Sequence, residues 1–430
     1  MQVEDLQDWD LCAIEWNIEL EKPQSGACDT LLSMSHSAQL TQLIQNELPS
    51  LIAIRQDLHT HPEIGLNEVR TSQVIQRELH SAGIQFQSGL GGGTGVLAHL
   101  PGVGEKTIGL RADIDALPII EETGLAYASQ NPGVMHACGH DGHTTILIGV
   151  ARVLAKLAAI APLPRPVTLL FQPAEENLGG ASRMIADGCL TGLLGPSISE
   201  IYGLHCWPWL PVNSIGVRNG PLLASTDYFS ITVYGRGSHA AWPHLSHDPV
   251  IAMASIITAL QTIVSRNTDP NDAVVVSVCV VKAGHAFNVI AQDGALEGTI
   301  RTLNEQVRTN TIKRIEEIVD HAARMHGCTA EVKISAGCPP TVNHPTATDA
   351  VRRTANKIPT ARLVEMENPF MGGEDFAFYG QKIPASFFLL GIQDPTLPNM
   401  PALHHPSFDF NDQSLETGIE AFCRLAILQS

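Results

Sequence analysis

Met135-His136-Ala137-Cys138-Gly139-His140-Asp141-Gly142-His143-Thr144 places one thiol, three imidazoles and a carboxylate within ten residues. Its two glycines supply bends that let so short a spacing converge on one point. Cys138 and His140, two positions apart, cannot share one face of a helix, but they can share a loop. A thiolate with imidazoles favours a transition-metal ion such as Zn, Mn, Co or Ni over Ca or Mg. Any one of these residues alone reads as part of a polar loop. Five together, followed at once by the apolar run Thr145 to Leu154, make a metal site the better reading. Further ligands must then come from elsewhere in the chain.

A chain of 430 residues is long for one hydrophobic core, so two domains are expected. A hydrophobic fraction of 44% with 16% charged residues describes a globular protein rather than a disordered one. The formal charge, 26 − 44 = −18, argues against nucleic acid or an anionic membrane as partner. The longest apolar run, Val250 to Leu260, is too short to span a bilayer, so no membrane association is expected. Nine cysteines without paired spacings suit reduced thiols and a cytoplasmic location. Residues 1–37 are acidic, carry Trp9 and Trp16 and lack a signal-peptide charge pattern, and they read as an unstructured N-terminal extension.

From Ala38 apolar residues recur at helical spacing as far as Leu58, with Pro49 expected to kink or break the helix. A second helix is expected over Val69 to Ala82. Short apolar strands at 95–100, 107–112, 167–171 and 201–205 then alternate with helices near 144–159 and 180–187. That alternation predicts an α/β sheet with the site at its strand ends. The polar clusters fall there: Asp113 and Asp115 after one strand, Glu175-Glu176 after the next, His205 after a third. From about Thr226 the order changes to β-α-β-β-α-β, with Asp248-Pro249 as N-cap and first helical residue. It reads as an inserted ferredoxin-like domain. The expected division is 38–224 and 339–430 as the two parts of a catalytic domain, with 225–338 inserted between them.

A two-metal hydrolytic site needs roughly four to six ligands, a general base and a water whose pKa falls toward ~7. Cys138 and His140 offer the first two donors. The adjacent carboxylates Glu175 and Glu176 follow the buried strand Leu169-Leu170-Phe171 and point in different directions on a loop, one for metal and one for the proton. His205 ends another apolar strand. Between His404 and His405, in a Pro-flanked loop, the residues alone do not choose.

Arg111-Ala112-Asp113-Ile114-Asp115-Ala116-Leu117-Pro118, Cys138 to His143, Phe171-Gln172-Pro173-Ala174-Glu175-Glu176, Gly203-Leu204-His205, Gly372-Gly373-Glu374-Asp375-Phe376 and Leu403-His404-His405-Pro406 occur in that order. Together, from about Gln39 onward, they resemble the amidohydrolase branch of the binuclear metallo-aminoacylase/carboxypeptidase family. The resemblance implies an α/β catalytic domain with a mixed central sheet, the inserted domain serving as lid and dimerisation domain. It implies two divalent ions (Mn, Zn, Co or Ni) per subunit, held by Cys138, His140, Glu176, His205 and His404, with Glu175 as general base. The family pattern Leu-His-x-Pro selects His404 and leaves His405 at the variable position. Where the wider family carries a metal-binding His, this chain has Arg111, so Arg111 is not expected to be a ligand. Asp113, Asp141 and His143 are expected to orient the ligands from behind. His239, in a Gly-rich segment, is implied to reach the substrate carbonyl, in some members from the partner subunit; a plain strand-end role is the alternative. Asn288 and Arg301 are implied to bind a substrate carboxylate, a surface ion pair being the alternative for Arg301.

The reaction so implied is hydrolysis of an N-acyl amino acid to a carboxylic acid and an amino acid, by a homodimer or larger assembly. Two other readings stand beside it: Cys138 as a nucleophile paired with His140 or His143, and a non-catalytic protein binding metal or acyl-amino acids on the same scaffold.

Overall fold

The computed structural model describes residues 25–176, 179–397 and 399–427. The chain opens with helix α1 (Ser25–Thr60), then α2 (Val69–Ser81), β1 (Gln85–Leu90), β2 (Gly95–Leu100), β3 (Thr107–Asp113), α3 (His140–Ile160), β4 (Val167–Gln172), α4 (Gly180–Ala186), β5 (Ile198–Pro211), β6 (Ser214–Val217) and β7 (Gly220–Leu223). The next stretch holds β8 (Asp227–Tyr234), β9 (Ser238–His239), α5 (Pro249–Thr262), β10 (Val274–Ala283), β11 (Val289–Ile290), β12 (Asp293–Thr302), α6 (Glu305–Met325) and β13 (Thr329–Ala336). It closes with β14 (Thr341–Asn343), α7 (Pro345–Ala355), β15 (Arg362–Glu365), α8 (Ala377–Gly380), β16 (Ala385–Gln393) and α9 (Ser414–Ile427).

Eight strands form the main sheet in the order β1-β2-β4-β3-β5-β16-β6-β15. It is mixed: β3 runs parallel to β4 and β5, and β16 parallel to β5, while β2 meets β4 and β6 meets β16 antiparallel. All residues of β3 and β4 are buried, which is why both read as unbroken apolar runs instead of alternating ones. One face packs on α1, α3 and α9 through Leu51, Leu58, Ile146, Val150, Leu154, Ile419 and Phe422. The other presents Phe387 of β16 and packs against Phe376 and Tyr379.

β8, β10, β12 and β13 form a separate four-stranded antiparallel sheet, ordered β10-β12-β8-β13, which is the split βαβ arrangement. Strand β8 alternates buried and exposed residues, so its sheet is covered on one face only. Phe229, Ile231 and Val233 supply that face and meet Met253, Ile256, Leu260, Ile315 and Val319 from α5 and α6. Asp248 caps α5 by accepting from the Val250 N–H at 2.9 Å, with Pro249 at the first helical position.

Four expectations are corrected. Helix α1 starts at Ser25, inside the stretch expected to be unstructured, while residues 1–24 lie outside the described ones. Pro49 does not break it; the Ser50 hydroxyl donates to the Glu47 carbonyl at 3.0 Å, beside the turn where the proline lacks an N–H. His205 lies within β5, which runs on to Pro211, not at a strand end. Finally, two helices are long and apolar enough to cross a membrane by length and composition, His140–Ile160 and Pro249–Asn267. The first is a core helix, buried from His140 through Ala151. The second splits its apolar residues between two faces: Ala252, Met253, Ile256 and Leu260 inward, Val250, Ile251 and Val264 outward.

The C-terminal end of α1 is clamped to the start of α3 by buried charge. Arg55 Nε and Nη1 donate to Asp412 and Asp409 at 2.7 and 2.8 Å, and His59 Nδ1 meets Asp141 Oδ2 at 2.8 Å. Burial opposes a charged His59, but Asp141 and Glu121 outweigh it and push the imidazole up to about 10. A raised imidazole pKa gives stability that is complete below its ordinary 6.5 and is lost as pH rises through about 10. The urea midpoint of the wild type should therefore fall between pH 7 and 10. His59→Gln should flatten that decline and cost about 3–5 kcal/mol at pH 7, because it removes one of the two cations that face buried Asp141 and leaves Arg55 at 3.6 Å as the other.

Candidate metal centre

Gly139 decides how the cysteine and first histidine meet. Its φ of 78° is open to glycine, and a Cβ there would sit 2.5 Å from Cys206 Sγ. The bend leaves Cys138 at the end of a loop and lets α3 begin at His140, four residues before the start expected near 144. His140, Asp141 and His143 are thus helical, with the Asp141 carboxylate in the first turn, where the helix dipole favours it. The four non-glycine residues with positive φ among the described ones include Ala174, at 55° just before the Glu pair, and His404, at 65°. Such strain, about 1–3 kcal/mol each, persists where the surroundings over-determine it. For His404 the fixing contact is its N–H to the Ala137 carbonyl at 2.8 Å, one residue from Cys138.

Cys138 Sγ lies 3.4 Å from His205 Nε2 and 3.3 Å from His404 Nε2, and His404 Nε2 is 3.3 Å from Glu176 Oε1. Two groups of three donors, Cys138–His140–His205 and Cys138–Glu176–His404, each fall within 4.8 Å and share the thiol. The far side of each ring fixes its tautomer. His140 Nδ1 donates to the Asp115 carbonyl at 2.9 Å and His205 Nδ1 to the Cys206 carbonyl at 2.8 Å, which turns both Nε2 atoms toward the cluster. His140 Nε2 is buried without a hydrogen-bond partner, and Glu176 Oε1 is met only by the His404 ring at 3.3 Å. Orphaned donors aimed at one point are what a cation would satisfy, and this set fits two divalent ions.

His143 and Cys206 also lie close enough to suggest ligation, but their atoms are engaged. His143 Nδ1 meets Asp113 Oδ1 at 2.6 Å, and its Nε2 accepts from the Cys206 N–H at 2.8 Å. The Cys206 thiol donates to the Cys138 carbonyl at 3.3 Å. Asp113 and His143 therefore brace each other and the Cys206 peptide beside His205, whereas Asp141 is bonded to His59, away from the donors. His405 faces away: it is exposed, and its Nδ1 accepts from the Ser407 N–H at 3.1 Å.

Arg111 and the Gly-Gly-Glu-Asp segment explain each other. The fully buried guanidinium donates to Gln172 at 2.8 Å, Asp113 at 2.7 Å, Glu374 at 2.9 Å and Asp375 at 3.0 Å. The Asp375 N–H in turn donates to Glu175 Oε1 at 3.4 Å. Sequence reasoning carried Glu374 and Asp375 as part of a motif without giving them a task. Burial pushes Glu374 up to about 8 and Asp375 to about 6, with Arg111 opposing. Glu175 is raised well above the usual carboxylate range by burial and by Glu374, Glu176 and Asp375. For Glu176 burial works in the same direction, but His404 and His140 overcome it and hold the group low. The two neighbouring carboxyls are thus driven apart, Glu175 toward its protonated form and Glu176 toward its charged one. Burial and the nearby acids push the Cys138 thiol well up; a bound cation reverses that sign and makes it a thiolate.

These groups open into a cavity of about 950 Å³ lined by Cys138, Glu175, Glu176, His205 and His404 on one side and by Tyr228 and Arg301 of the inserted sheet on another. Arg301 lies over the Tyr228 ring at 5.6 Å. His239 and Asn288 are not among the lining residues. They sit together elsewhere, where β9 pairs with β11 and the Asn288 carbonyl accepts from the Ala240 N–H at 3.0 Å. Trp207, Trp209 and Phe370 also line the cavity and were given no role from sequence. The signal was the alternation His205-x-Trp207-x-Trp209.

Residues 109–428 match the model of peptidase family M20/M25/M40. The chain belongs to this family. It is 38% identical to the N-acetyl-L-cysteine deacetylase of Bacillus subtilis (strain 168) over 93% of this chain and 92% of that one. It is 35% identical to the IAA-amino acid hydrolase ILR1-like 4 of Arabidopsis thaliana, covering 87% of this chain and 84% of that one. Among solved structures, the Bacillus subtilis YXEP protein, described as a dinuclear metal binding peptidase from the M20 family, superimposes with a TM-score of 0.77 at 36% identity, over 89% of this chain and 98% of that chain. The M20 match spans the main sheet from β3 onward and the inserted sheet alike. The two late histidines separate in a simple measurement: His404→Ala should lose bound metal by elemental analysis, while His405→Ala should keep the wild-type stoichiometry.

Proposed function

We propose that Cys138, His140, Glu176, His205 and His404 hold two divalent ions of the Mn, Zn, Co or Ni type, and that Glu175 is the general base. The protein is a metal-dependent amidohydrolase that cleaves N-acyl amino acids to a carboxylic acid and a free amino acid. The observation that carries this reading is the pair of three-donor groups sharing one thiol beside a carboxyl held protonatable. Such ions supply Lewis acidity, polarising the scissile carbonyl and acidifying water.

The residues of the chain do the rest. Glu175 takes a proton from water as the water oxygen bonds to the carbonyl carbon, then delivers it to the nitrogen as the C–N bond breaks. The Asp375 N–H holds Glu175 in place at 3.4 Å, and Arg111 holds Asp375. Arg301, on the cavity wall, is suited to the substrate carboxylate by its planar fork.

The inserted domain acts as lid and as the contact between two subunits. Strand β10 is an edge of its sheet and exposes Val281, while Val250, Ile251 and Val264 of the neighbouring helix and Phe287 also face outward. An apolar edge of this kind is covered by a second copy in a homodimer. In that dimer His239 and Asn288 would serve the partner's cavity, His239 at the substrate carbonyl. Val281→Glu should shift the protein to monomers in sedimentation analysis, with the fold retained by circular dichroism. The described cysteines are free thiols, in keeping with a cytoplasmic enzyme.

Glu175→Gln should keep its metal yet lose about 10²–10⁴-fold in kcat. The deciding assay is hydrolysis of an N-acyl amino acid panel by the metal-loaded protein before and after chelation. Activity that survives complete metal removal would overturn the assignment in favour of a Cys138 nucleophile.

A further inference from the structure

Strand β5 gives the cavity an unusual wall. Side chains on a strand alternate, so His205, Trp207 and Trp209 stand on one face, each roughly 7 Å from the next. On the opposite face Cys206 is fully buried, and Leu210 is buried as well. The row therefore begins at a metal donor and runs roughly 13 Å outward along the cavity. Its rings touch one another: Trp207 and Trp209 at 5.0 Å between centroids and 62°, Trp207 and Phe370 at 4.5 Å and 55°. The Trp207 ring is 6.4 Å from that of His205. Leu223, Phe378 and Leu403 complete an apolar surface in the same cavity.

Trp209 is the telling member. It is 56% exposed, so it does not serve the core. An isolated exposed tryptophan would mean little. This one continues a stack that starts at the reacting centre and ends in a cavity of about 950 Å³, toward the upper end of the roughly 300–1,000 Å³ range for sites that enclose drug-sized ligands. An acetyl methyl held at the donors is too short to reach past the first ring. A planar acyl group, by contrast, can lie against these rings in the offset or edge-on contacts aromatic pairs favour. The charged end of a substrate has its own partner in Arg301, on the inserted sheet, which leaves the aromatic row to the acyl side.

Resting on the amidohydrolase reading above, we propose that this chain prefers N-aroyl and N-arylacetyl amino acids to N-acetyl amino acids, and that Trp207, Trp209 and Phe370 determine that preference. The test compares kcat/KM for the N-benzoyl, N-phenylacetyl and N-acetyl derivatives of one amino acid, using the full chain loaded with Mn. The aryl substrates should exceed the acetyl one by about 10- to 100-fold. Trp209→Ala should reduce that ratio about tenfold, mainly through KM, and Trp209→Phe should restore most of it. Independently of turnover, benzoate should quench tryptophan emission at lower concentration than acetate, and Trp209→Ala should remove that difference. Equal or better use of the acetyl substrate, or an aryl-to-acetyl ratio untouched by Trp209→Ala, overturns the proposal. Failure to hydrolyse any of the three with metal confirmed in place would instead count against the amidohydrolase reading, and the quenching comparison then still judges the aromatic wall.

Discussion

Six carboxyl groups, from Asp113, Asp115, Glu175, Glu176, Glu374 and Asp375, form one interacting cluster, and three of them act on the Cys138 thiol. Asp113, Asp115, Glu374 and Asp375 are almost wholly buried. Like charges so close in a medium of low dielectric repel strongly, and burial penalises each one separately. Arg111 is the one guanidinium bonded to this group among the described residues, and it reaches only Asp113, Glu374 and Asp375 directly. Protonation of some acids relieves part of the repulsion, as the raised Glu175 and Glu374 indicate. Divalent cations relieve the rest. The fold around them, with two wholly buried strands and a helix that starts at His140, keeps these groups from spreading apart.

That constraint also accounts for the geometry behind the donors. A ring nitrogen binds a cation only when the other nitrogen carries the proton, so each histidine needs a carbonyl or carboxylate at its back. Asp115 and Cys206 supply carbonyls to His140 and His205, while Asp113 holds His143 as a brace. Asp115 works twice, since its side chain also accepts the Glu176 N–H at 3.0 Å. Removing a residue that never touches an ion can therefore disturb several that do.

Much of this was legible in the residues. The thiol–imidazole spacing, the paired glutamates after an apolar strand and the β-α-β-β-α-β order each follow from short-range chemistry or periodicity. What stayed hidden depends on long-range packing. Nothing near Gly139 announces that the helix starts at His140, because the deciding contact is Cys206, far along the chain. His205 looked like a strand terminus because the apolar run that begins at Ile201 ends there; the strand continues through pairing with β16, which a local pattern does not reveal. Strands β1, β6 and β15 are short, and β1 and β15 lie at the sheet edges, where apolar patterning is weakest. Arg111 could be denied the role of ligand, but its tie to Glu374 and Asp375 spans 263 and 264 residues and leaves no local trace.

Cys138 and His404 are separated by 266 residues, with the inserted sheet translated between them. The donor set is thus incomplete until the later segment of the chain has emerged and found the earlier one. An ion arriving during synthesis meets Cys138, His140, Glu176 and His205 without His404 and before β16 has paired with the strand that carries His205, a loose trap that releases what it catches. Capture then belongs to the folded protein. Which ion the enzyme carries would be set by the shape of the finished site and by whatever the surroundings offer at that moment, and not by the first cation the emerging chain encounters.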